Sequence, residues 1–338
     1  MDLKTIRREA REKLKGYCRV CPACDGRACS GEVPGMGGVG TGSGFRANLE
    51  ALADYRLHMR TLHAAVEPDT GLKLFGLTLD TPVLAAPMTG TPYNMGGPLT
   101  EREFAGAIVS GSVAAGSLGF TGDGADPQMY EAGIDAVSEA GGRGVPVIKP
   151  REQEEVRQRV QRAEKSGAVA LGMDVDGAGL VTMALKGQPV GPKTPAQMGD
   201  IISSTKLPFI VKGIMTVDEA RMAVDAGAAA IVVSNHGGRV LDFTPGAAEV
   251  LPAITEEVKG SAVILADGGA RTGVDVLKLL ALGADAVLVG RPLVVGACGA
   301  GARGVQFILE KMTAELKQAM ILTGCRNLAG VTPRVLAG

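Results

Sequence analysis

The chain has 338 residues, of which 46% are hydrophobic and none is tryptophan, and its formal net charge at pH 7 is -1. This composition can bury a large core, whereas the near-neutral charge and scarce aromatic residues argue against nucleic acid or an anionic membrane as the main partner. The sequence has no run of the roughly 20 apolar residues that a membrane span needs. Residues 1–16 are charged and lack the apolar core of a signal peptide, so we expect a cytoplasmic protein.

A cysteine-rich segment follows the first predicted helix. Cys18, Cys21, Cys24 and Cys29 stand at C-x2-C-x2-C-x4-C spacing. In a cytoplasmic protein such clustering favours zinc or an iron–sulfur cluster over disulfides, and the run resembles that of bacterial ferredoxins except in its last spacing. Reduced thiols and a redox-sensitive pair are the alternatives, and the sequence does not choose between zinc and a cluster. The glycine-rich residues 30–44 are expected to be flexible unless they close over the site.

From about residue 80, short apolar runs alternate with helical segments. Eight runs fit the pattern of buried parallel strands: 82–87, 111–117, 146–149, 170–175, 208–213, 229–235, 262–268 and 286–292. They predict an α/β protein, a closed (β/α)₈ TIM barrel, over residues 75–338, with an N-terminal helical, cysteine- and glycine-rich extension over residues 1–74. An open doubly wound sheet is the competitor, but no G-x-G-x-x-G follows the first strand.

Local signals support the helices between these runs. Thr216 and Glu219 have capping-box spacing, and Gly227 follows at the expected end of that helix. Helical patterns also end near Gly167 and Gly283.

Active sites of such barrels lie at the C-terminal ends of the strands. The first six strand ends supply these candidates: Pro87, Met88, Thr89, Ser117, Lys149, Asp174, Lys212, Ser234, Asn235 and His236. The last two strand ends predict a phosphate site, because glycines let backbone N–H groups approach an anion and arginines add positive charge. Its residues are Asp267, Gly268, Gly269, Arg271, Gly290 and Arg291.

Three side chains at this rim suggest catalysis. His236 titrates near neutrality and is the natural general base. Arg239, behind two glycines, offers a bidentate fork to a carboxylate. Lys212 ends an apolar strand and is expected to point its ammonium into the same barrel mouth.

These motifs resemble the FMN-dependent 2-hydroxy-acid oxidases and dehydrogenases, the glycolate oxidase and lactate oxidase group. The similarity is carried by "VKGIMTVDEA", "SNHGGRVLD" and "ADGGARTGVDVLKLLALGADAVLVGRP", in that order, and by "TPVLAAPMTG" at the first strand. It implies FMN as cofactor and oxidation of a 2-hydroxy acid to the 2-keto acid, with a proton removed by a base while the flavin accepts two electrons. Members of the family are commonly tetramers or octamers, so a homo-oligomer is expected.

The resemblance also implies residue roles. His236 would be the base, Arg239 would bind the substrate carboxylate, and Lys212 would lie against the N1–C2 edge of the flavin. The ribityl and phosphate groups would be held by Asp267, Gly269, Arg271, Gly290 and Arg291. The flavin ring would be lined by Met88, Thr89 and Ser117.

The chain departs from the family at the substrate site. The family's glutamine and tyrosine after strand 3 are missing, and Lys149 stands there instead. The second arginine after strand 4 is also missing, and Tyr17 is not a convincing counterpart of the family's N-terminal tyrosine. Asp174 and Asp176 would disfavour a small anionic substrate unless lysines pair with them; Lys149, Lys186 and Lys193 could supply the lost charge.

Two alternative functions follow from these departures. One is a non-redox FMN enzyme resembling the type 2 isopentenyl diphosphate isomerases, which share the barrel and the cofactor. The other is a flavin- or metal-binding redox sensor without turnover, which the cysteine cluster and the missing tyrosine motivate.

Overall fold

The computed structural model describes residues 1–337. Its α-helices are α1 (Leu3–Lys13), α2 (Ser43–Asp54), α3 (Glu101–Ala114), α4 (Pro127–Glu139), α5 (Gln153–Lys165), α6 (Val181–Leu185), α7 (Pro195–Ser203), α8 (Val217–Asp225), α9 (Ala247–Val258), α10 (Gly273–Ala281) and α11 (Arg291–Thr323). Its strands are β1 (Arg56–Leu57), β2 (Leu72–Leu74), β3 (Leu77–Leu79), β4 (Val83–Met88), β5 (Gly119–Thr121), β6 (Gly144–Ile148), β7 (Leu171–Asp174), β8 (Phe209–Ile214), β9 (Ala230–Val233), β10 (Val263–Ala266), β11 (Ala286–Val289) and β12 (Leu336–Ala337).

Strands β4 to β11 form a closed parallel barrel in the order β4-β5-β6-β7-β8-β9-β10-β11. Pairing of β11 with β4 closes the ring, with Val287 opposite Val83 and Leu288 opposite Leu84. Each strand is followed by helical structure on the outside, as parallel connections require. The predicted (β/α)₈ barrel is confirmed.

The strands bury both faces, which explains their continuous apolar sequences. Leu84, Val232 and Leu288 belong to a core inside the barrel, whereas Val83 and Val233 pack in the larger cluster beneath the outer helices. The β2–β3 hairpin joins the inner core through Leu74 and Leu79 and so covers the N-terminal end of the barrel. The open end is therefore the one formed by the C-terminal ends of the strands.

The helix signals in the sequence correspond to observed ends. Thr216 caps α8 by accepting from the backbone N–H of Glu219, and α8 ends just before Gly227, which has a φ of 99°. Helices α5 and α10 end before Gly167 and Gly283.

The predicted second strand at residues 111–117 is wrong. Residues 111–114 are the last turn of α3, which begins at a complete capping box formed by Thr100 and Glu103, and the strand is Gly119–Thr121. Small apolar residues permit this helix to pack closely: a Cβ on Gly111 would lie 2.5 Å from the carbonyl oxygen of Ala302 in α11. A short buried run of small residues does not distinguish a packed helix from a strand.

The N-terminal segment packs on the barrel helices. Helix α1 lies against α11, and β1 pairs with β12 near the C-terminus. The predicted boundary between residues 74 and 75 falls inside the β2–β3 hairpin.

Helix α11 is the one helix in residues 1–337 that is long and apolar enough to cross a membrane by length and composition. It is kinked at Ala300 and Gly301, and 56% of its apolar window is buried in the protein. Buried core helices pass the same test, so this is weak evidence for a span.

Candidate active site

A single cavity opens at the C-terminal ends of the barrel strands and gathers most of the predicted site. Its lining includes Pro87, Met88, Thr89, Lys149, Asp174, Lys212, His236, Arg239, Asp267, Gly268, Gly269, Arg271, Gly290 and Arg291. These residues come from seven different barrel strands or the turns that follow them, as expected for this type of barrel.

Three of the predicted residues do not line the cavity: Ser117, Ser234 and Asn235, whose side chain bonds to Asn48 and to the carbonyl of Gly44. Ser117 precedes β5, and its hydroxyl donates to the carbonyl of Val83 at the start of β4, so it lies at the closed end of the barrel. Its predicted place at the mouth of the barrel is wrong, because the second barrel strand is Gly119–Thr121 and Ser117 precedes it. Ser234 lies behind the cavity wall, where its Oγ accepts from Lys212 Nζ at 3.1 Å and from the backbone N–H of His236.

A buried charge network forms the floor of the cavity. Asp174 pairs with Lys149 through Oδ2 and with Lys212 through Oδ1 at 3.3 Å, and Lys212 lies 3.6 Å from Asp267. Although burial alone would lower it, the charges of Asp174 and Asp267 hold the pKa of Lys212 above its ordinary value. Burial opposes ionisation of Asp174, but His236 and the two lysines hold the pKa of this carboxyl well below its usual range. Asp174 is therefore paired with lysines, as an anionic substrate in this cavity requires, whereas Asp176 contacts His236 and no lysine among the described residues.

His236 is held in an uncommon backbone conformation at this floor, with a φ of 57°. Its Nδ1 lies 3.0 Å from Asp176 Oδ1 and 3.5 Å from Asp174 Oδ1. An aspartate oxygen can accept from Nδ1–H whether or not its carboxyl is protonated, so this contact leaves Nε2 as the nitrogen with a free lone pair. Burial lowers the pKa of His236 well below 6.5 despite the opposing charge of Asp174, so the ring is neutral at pH 7.

Arginines dominate the opposite wall. Arg239 donates to the carbonyl of Gly35 and to Asn94 Oδ1, and Arg291 donates to the carbonyls of Met36 and Gly37. Within residues 1–337, no aspartate or glutamate forms an ion pair with Arg239, Arg271 or Arg291. Burial lowers the pKa of Arg239 to about 10, and burial together with the charges of Arg271 and Arg239 lowers that of Arg291 to about 9.

The glycine-rich segment closes over this wall instead of extending into solvent. Gly35, Met36, Gly37 and Gly38 are buried, and Met36 lines the cavity. The segment is fixed to the turn after β9 by a hydrogen bond from the N–H of Val39 to the carbonyl of Gly238 at 2.9 Å. The segment thus closes over the site, which is the alternative that the sequence analysis gave to a flexible segment.

The cavity fits the phosphate and polyol parts of FMN. Asp267 Oδ1 and Arg271 Nε are buried without a hydrogen-bond partner in the protein, and both residues line the cavity. Buried polar atoms normally have partners, so a polar ligand is expected to supply them. Gly268 and Gly269 have φ values of 91° and 87°, which present the turn backbone in a conformation that side chains rarely adopt.

The sequence analysis does not predict several residues of the site. Asp176 and Tyr93 were not proposed as site residues, yet Asp176 orients His236, and Tyr93 and Asn94 line the cavity just after β4. Tyr93 and Asn94 follow a strand end and lie between glycines, so the strand-end rule could have identified them. Tyr17 contacts Gly96 and is absent from the described lining.

Two of the lysines proposed to replace the missing positive charge of the substrate site have other partners. Lys193 donates to the carbonyl of Arg151, and Lys186 lies 4.7 Å above the ring of Tyr93. Lys149 reaches the cavity, but its charge is paired with Asp174.

His236, Asp174 and Asp176 are the one trio of His, Cys and acidic ligand atoms in the described chain that lies within 4.8 Å. Because Lys149 and Lys212 already neutralise Asp174, we do not assign a metal ion to this trio.

Comparison with known proteins gives a consistent result. The profile of the FMN-dependent dehydrogenase family matches residues 35–184 and 187–338. L-lactate oxidase of Lactobacillus jensenii is 32% identical over 313 residues, which cover 85% of this chain and 76% of that protein. Human 2-hydroxyacid oxidase 1 is 52% identical over 124 residues, but this match spans only 37% of this chain and 34% of the relative.

Solved structures agree with the sequence relatives. A crystal structure of mandelate oxidase with (S)-2-phenylpropionate superposes with a TM-score of 0.79 at 30% identity, covering 99% of this chain and 97% of that one. The family match and these structures support FMN as the cofactor. The family match, the barrel and the cavity together show that the chain belongs to the FMN-dependent dehydrogenase family of oxidoreductases.

Proposed function

We propose that this enzyme oxidises a 2-hydroxy acid to the 2-keto acid. The observation that carries the proposal is a partly buried guanidinium, Arg239, with no carboxylate partner in the described chain, in the same cavity as the neutral imidazole of His236. A buried charge is costly unless it is paired, so this wall is built for an anionic ligand. The named oxidases of lactate, mandelate and 2-hydroxy acids support the substrate class.

The cofactor's place follows from the atoms that lack partners. Asp267 and Arg271, with the turn at Gly268 and Gly269, would hold the polyol and phosphate groups, and Arg291 would add positive charge. When bound there, FMN supplies the acceptor for two electrons.

Three side chains of the protein would bind the substrate, remove its proton and stabilise negative charge. Arg239 would bind the substrate carboxylate with charge-assisted hydrogen bonds, which requires it to exchange some of its contacts with the carbonyls of Gly35 and Gly37. His236, oriented by Asp176, would take a proton at Nε2. The positive charge of Lys212, buried beneath the cavity, would stabilise negative charge that develops above it.

Tyr93 is our candidate for the missing tyrosine of the substrate site. In the described chain it is the one tyrosine that lines the cavity, and its phenol can donate a hydrogen bond to a substrate oxygen. It comes from the segment after the first strand instead of the third. A different position for this group, and one arginine instead of two, favour a substrate that differs in shape from those of typical relatives.

The test is an anaerobic titration of the FMN-loaded enzyme with glycolate, lactate, 2-hydroxyoctanoate and mandelate, followed by its visible spectrum. We expect at least one of these acids to bleach the flavin bands, and we expect His236→Ala to abolish bleaching while FMN stays bound. Arg239→Met should raise the substrate concentration for half-bleaching about 100-fold, because loss of a charge-assisted contact costs up to about 3 kcal/mol.

A flavin that dithionite reduces but no hydroxy acid bleaches would contradict the proposal and favour the isomerase or sensor alternatives. The matched control is His63→Ala, because the His63 side chain is exposed near α11 and is absent from the described lining of the cavity. It should leave bleaching unchanged.

Three further points stay predictions. A homo-oligomer of four or eight chains rests on the family resemblance. A cytoplasmic location, without nucleic acid or membrane as partner, rests on composition and the charged N-terminus. Metal binding by the four clustered cysteines rests on their spacing.

A further inference from the structure

The four clustered cysteines line a second cavity, separate from the substrate site. Cys18, Cys21, Cys24 and Cys29 all face one space of about 420 Å³ between the N-terminal segment and the start of α11. All four are free thiols and half-buried. The four cysteines that are close in the sequence are therefore also close in space, around a cavity that is larger than a single metal ion needs.

The spread of the thiols argues against one zinc ion. Four thiolates around zinc lie about 2.3 Å from the ion and therefore about 3.8 Å from one another. Among residues 1–337 no three of these sulfur atoms lie within 4.8 Å of each other. A [4Fe–4S] cluster binds each cysteine at a different iron and so holds the four sulfur atoms further apart than one ion does, which fits the open arrangement better.

The loop that carries the first two cysteines is held in a defined conformation. Arg7 and Arg11 of α1 both donate to the carbonyl of Val20, which has a left-handed φ of 46° and is buried. This conformation directs the backbone N–H of Val20 at Cys18 Sγ, 3.4 Å away. N–H groups aimed at cysteine sulfur are among the features that tune iron–sulfur clusters.

The cavity wall matches a negatively charged, weakly hydrated group. Leu3, Val295, Ile308 and Met312 provide apolar surface. The charged lining is mainly basic, with Asp25 as its one acid and these bases: Arg7, Arg19, Arg271, Arg291 and Lys311. Four thiolates around an iron–sulfur core carry net negative charge. Arg19 and Lys311 already pair with Glu32 and Glu315, so Arg7, Arg271 and Arg291 would balance this charge.

The two cavities share a wall. Met36, Arg271 and Arg291 line both the flavin cavity and the cysteine cavity, so a single layer of side chains separates them. The family profile begins at residue 35, after the last of the four cysteines, so the family match does not account for this segment.

We propose that Cys18, Cys21, Cys24 and Cys29 bind a [4Fe–4S] cluster that carries electrons out of the flavin site. The second half of this statement rests on the proposed function. Oxidation of one 2-hydroxy acid to the 2-keto acid releases two protons and two electrons. The cluster passes the electrons one at a time, so two molecules of a one-electron acceptor protein are reduced per substrate.

The first experiment is metal and sulfide analysis of the full-length protein, purified without oxygen and reconstituted with iron and sulfide. We expect about four irons and four sulfides per chain and a low-temperature EPR signal after dithionite reduction. Cys21→Ser/Cys24→Ser should lose the sulfide and the signal but keep FMN, because both residues lie outside the flavin cavity. Cys325→Ala, a buried cysteine far along the chain, is the matched control and should keep both.

About one zinc without sulfide, or no metal in protein that retains FMN, would overturn the cluster. If the double variant does not fold, the wild-type stoichiometry and EPR signal decide the question alone.

Electron transfer from the flavin through the cluster is measured separately, as the reduction of cytochrome c, a one-electron acceptor. In the double variant, a hydroxy acid should still bleach the flavin, while substrate-dependent reduction of cytochrome c falls to the level without enzyme. Unchanged reduction of cytochrome c would overturn the export role. Failure of every hydroxy acid to bleach the wild-type flavin would instead contradict the proposed function and leave the iron and sulfide result standing.

Discussion

At the scale of single residues, the protonation state of His236 is controlled by its surroundings. The ring is largely shielded from water beside two aspartates and two lysines, and the lysines and Arg239 add to the effect of desolvation in disfavouring the imidazolium. Asp174 acts in the opposite direction, but its charge is shared with Lys149 and Lys212. The side chain is therefore available as a base at neutral pH without a preceding loss of a proton.

This arrangement sets the pH dependence of the reaction. A base acts in its deprotonated form, which is present above its pKa, and burial places the pKa of His236 well below 6.5. We expect kcat/KM for the acid that bleaches the flavin to be constant around neutrality and to fall only on the acid side of pH 6.5. The profile is measured by stopped-flow flavin reduction, with FMN content checked at each pH. A fall that begins above pH 7 would show that the imidazolium is favoured in the site, contrary to the structure.

The sequence predicted the strand-end positions of these residues better than their partners. Lys149 follows β6, Asp174 ends β7 and Lys212 lies two residues before the end of β8, positions that the apolar runs indicate. Their pairing depends on the register of the barrel, in which Asp174 lies opposite Lys212 across β7 and β8. Register between parallel strands is set by packing of the whole sheet, so a single sequence does not reveal it.

At the scale of elements, a buried ion pair connects the loops after β5 and β6. Arg151 Nε lies 2.9 Å from Asp123 Oδ2, both side chains are about 1% exposed, and Arg151 also donates to Gln188 Oε1 near α6. Asp123 accepts in addition from the backbone N–H of Lys149. The pair thus fixes the backbone from which Lys149 enters the site.

Breaking this pair is expected to be costly. Arg151→Met leaves buried Asp123 with Arg159, at 3.3 Å, as its remaining ion-pair partner, and should lower the free energy of unfolding by about 3 kcal/mol. The matched control, Arg221→Met, breaks an ion pair with Glu257 at the surface between α8 and α9 and should cost about 0–1 kcal/mol. Urea unfolding of both variants with FMN at the same concentration gives the comparison. Equal losses would mean that Asp123 is solvated or repartnered when Arg151 is removed.

Element positions were predicted well where the local signals were strong. Thr216 and Glu219 gave the start of α8 correctly, because capping is a local interaction. The segment around Gly111 was misassigned, because its small residues fit either an outer helix or a buried strand, and only the close approach to α11 decides between them. The capping box at Thr100 and Glu103 was the local signal that could have prevented the error.

At the scale of the whole molecule, the flavin cavity is assembled from segments distant in the chain. Met36 comes from the N-terminal segment, Met88 from the first barrel strand, and Arg271 and Arg291 from the last two βα turns. The barrel and its phosphate turns followed from the sequence pattern. The sequence pattern does not predict that the glycine-rich segment closes over the cavity. The contacts that hold it there are made by the backbone carbonyls of Gly35 and Gly37, which every residue type possesses.

A ligand that touches all these segments should stabilise the whole fold. A molecule that binds only the folded state adds about 2.7 kcal/mol to the free energy of unfolding at a concentration of 100 times its Kd, so FMN at that concentration should stabilise the apoprotein by this amount in urea unfolding. Gly269→Ala should remove most of this increment, because a Cβ there would lie 2.7 Å from the backbone oxygen of Asn48 and shift the turn that lines the cavity. Gly260→Ala separates this effect from backbone strain: its φ of 86° matches the 87° of Gly269, yet nothing lies within 4 Å of the added Cβ. We expect Gly260→Ala to lower the stability of the apoprotein but to keep the full FMN increment. The same increment in both variants would mean that the turn after β10 does not hold the cofactor.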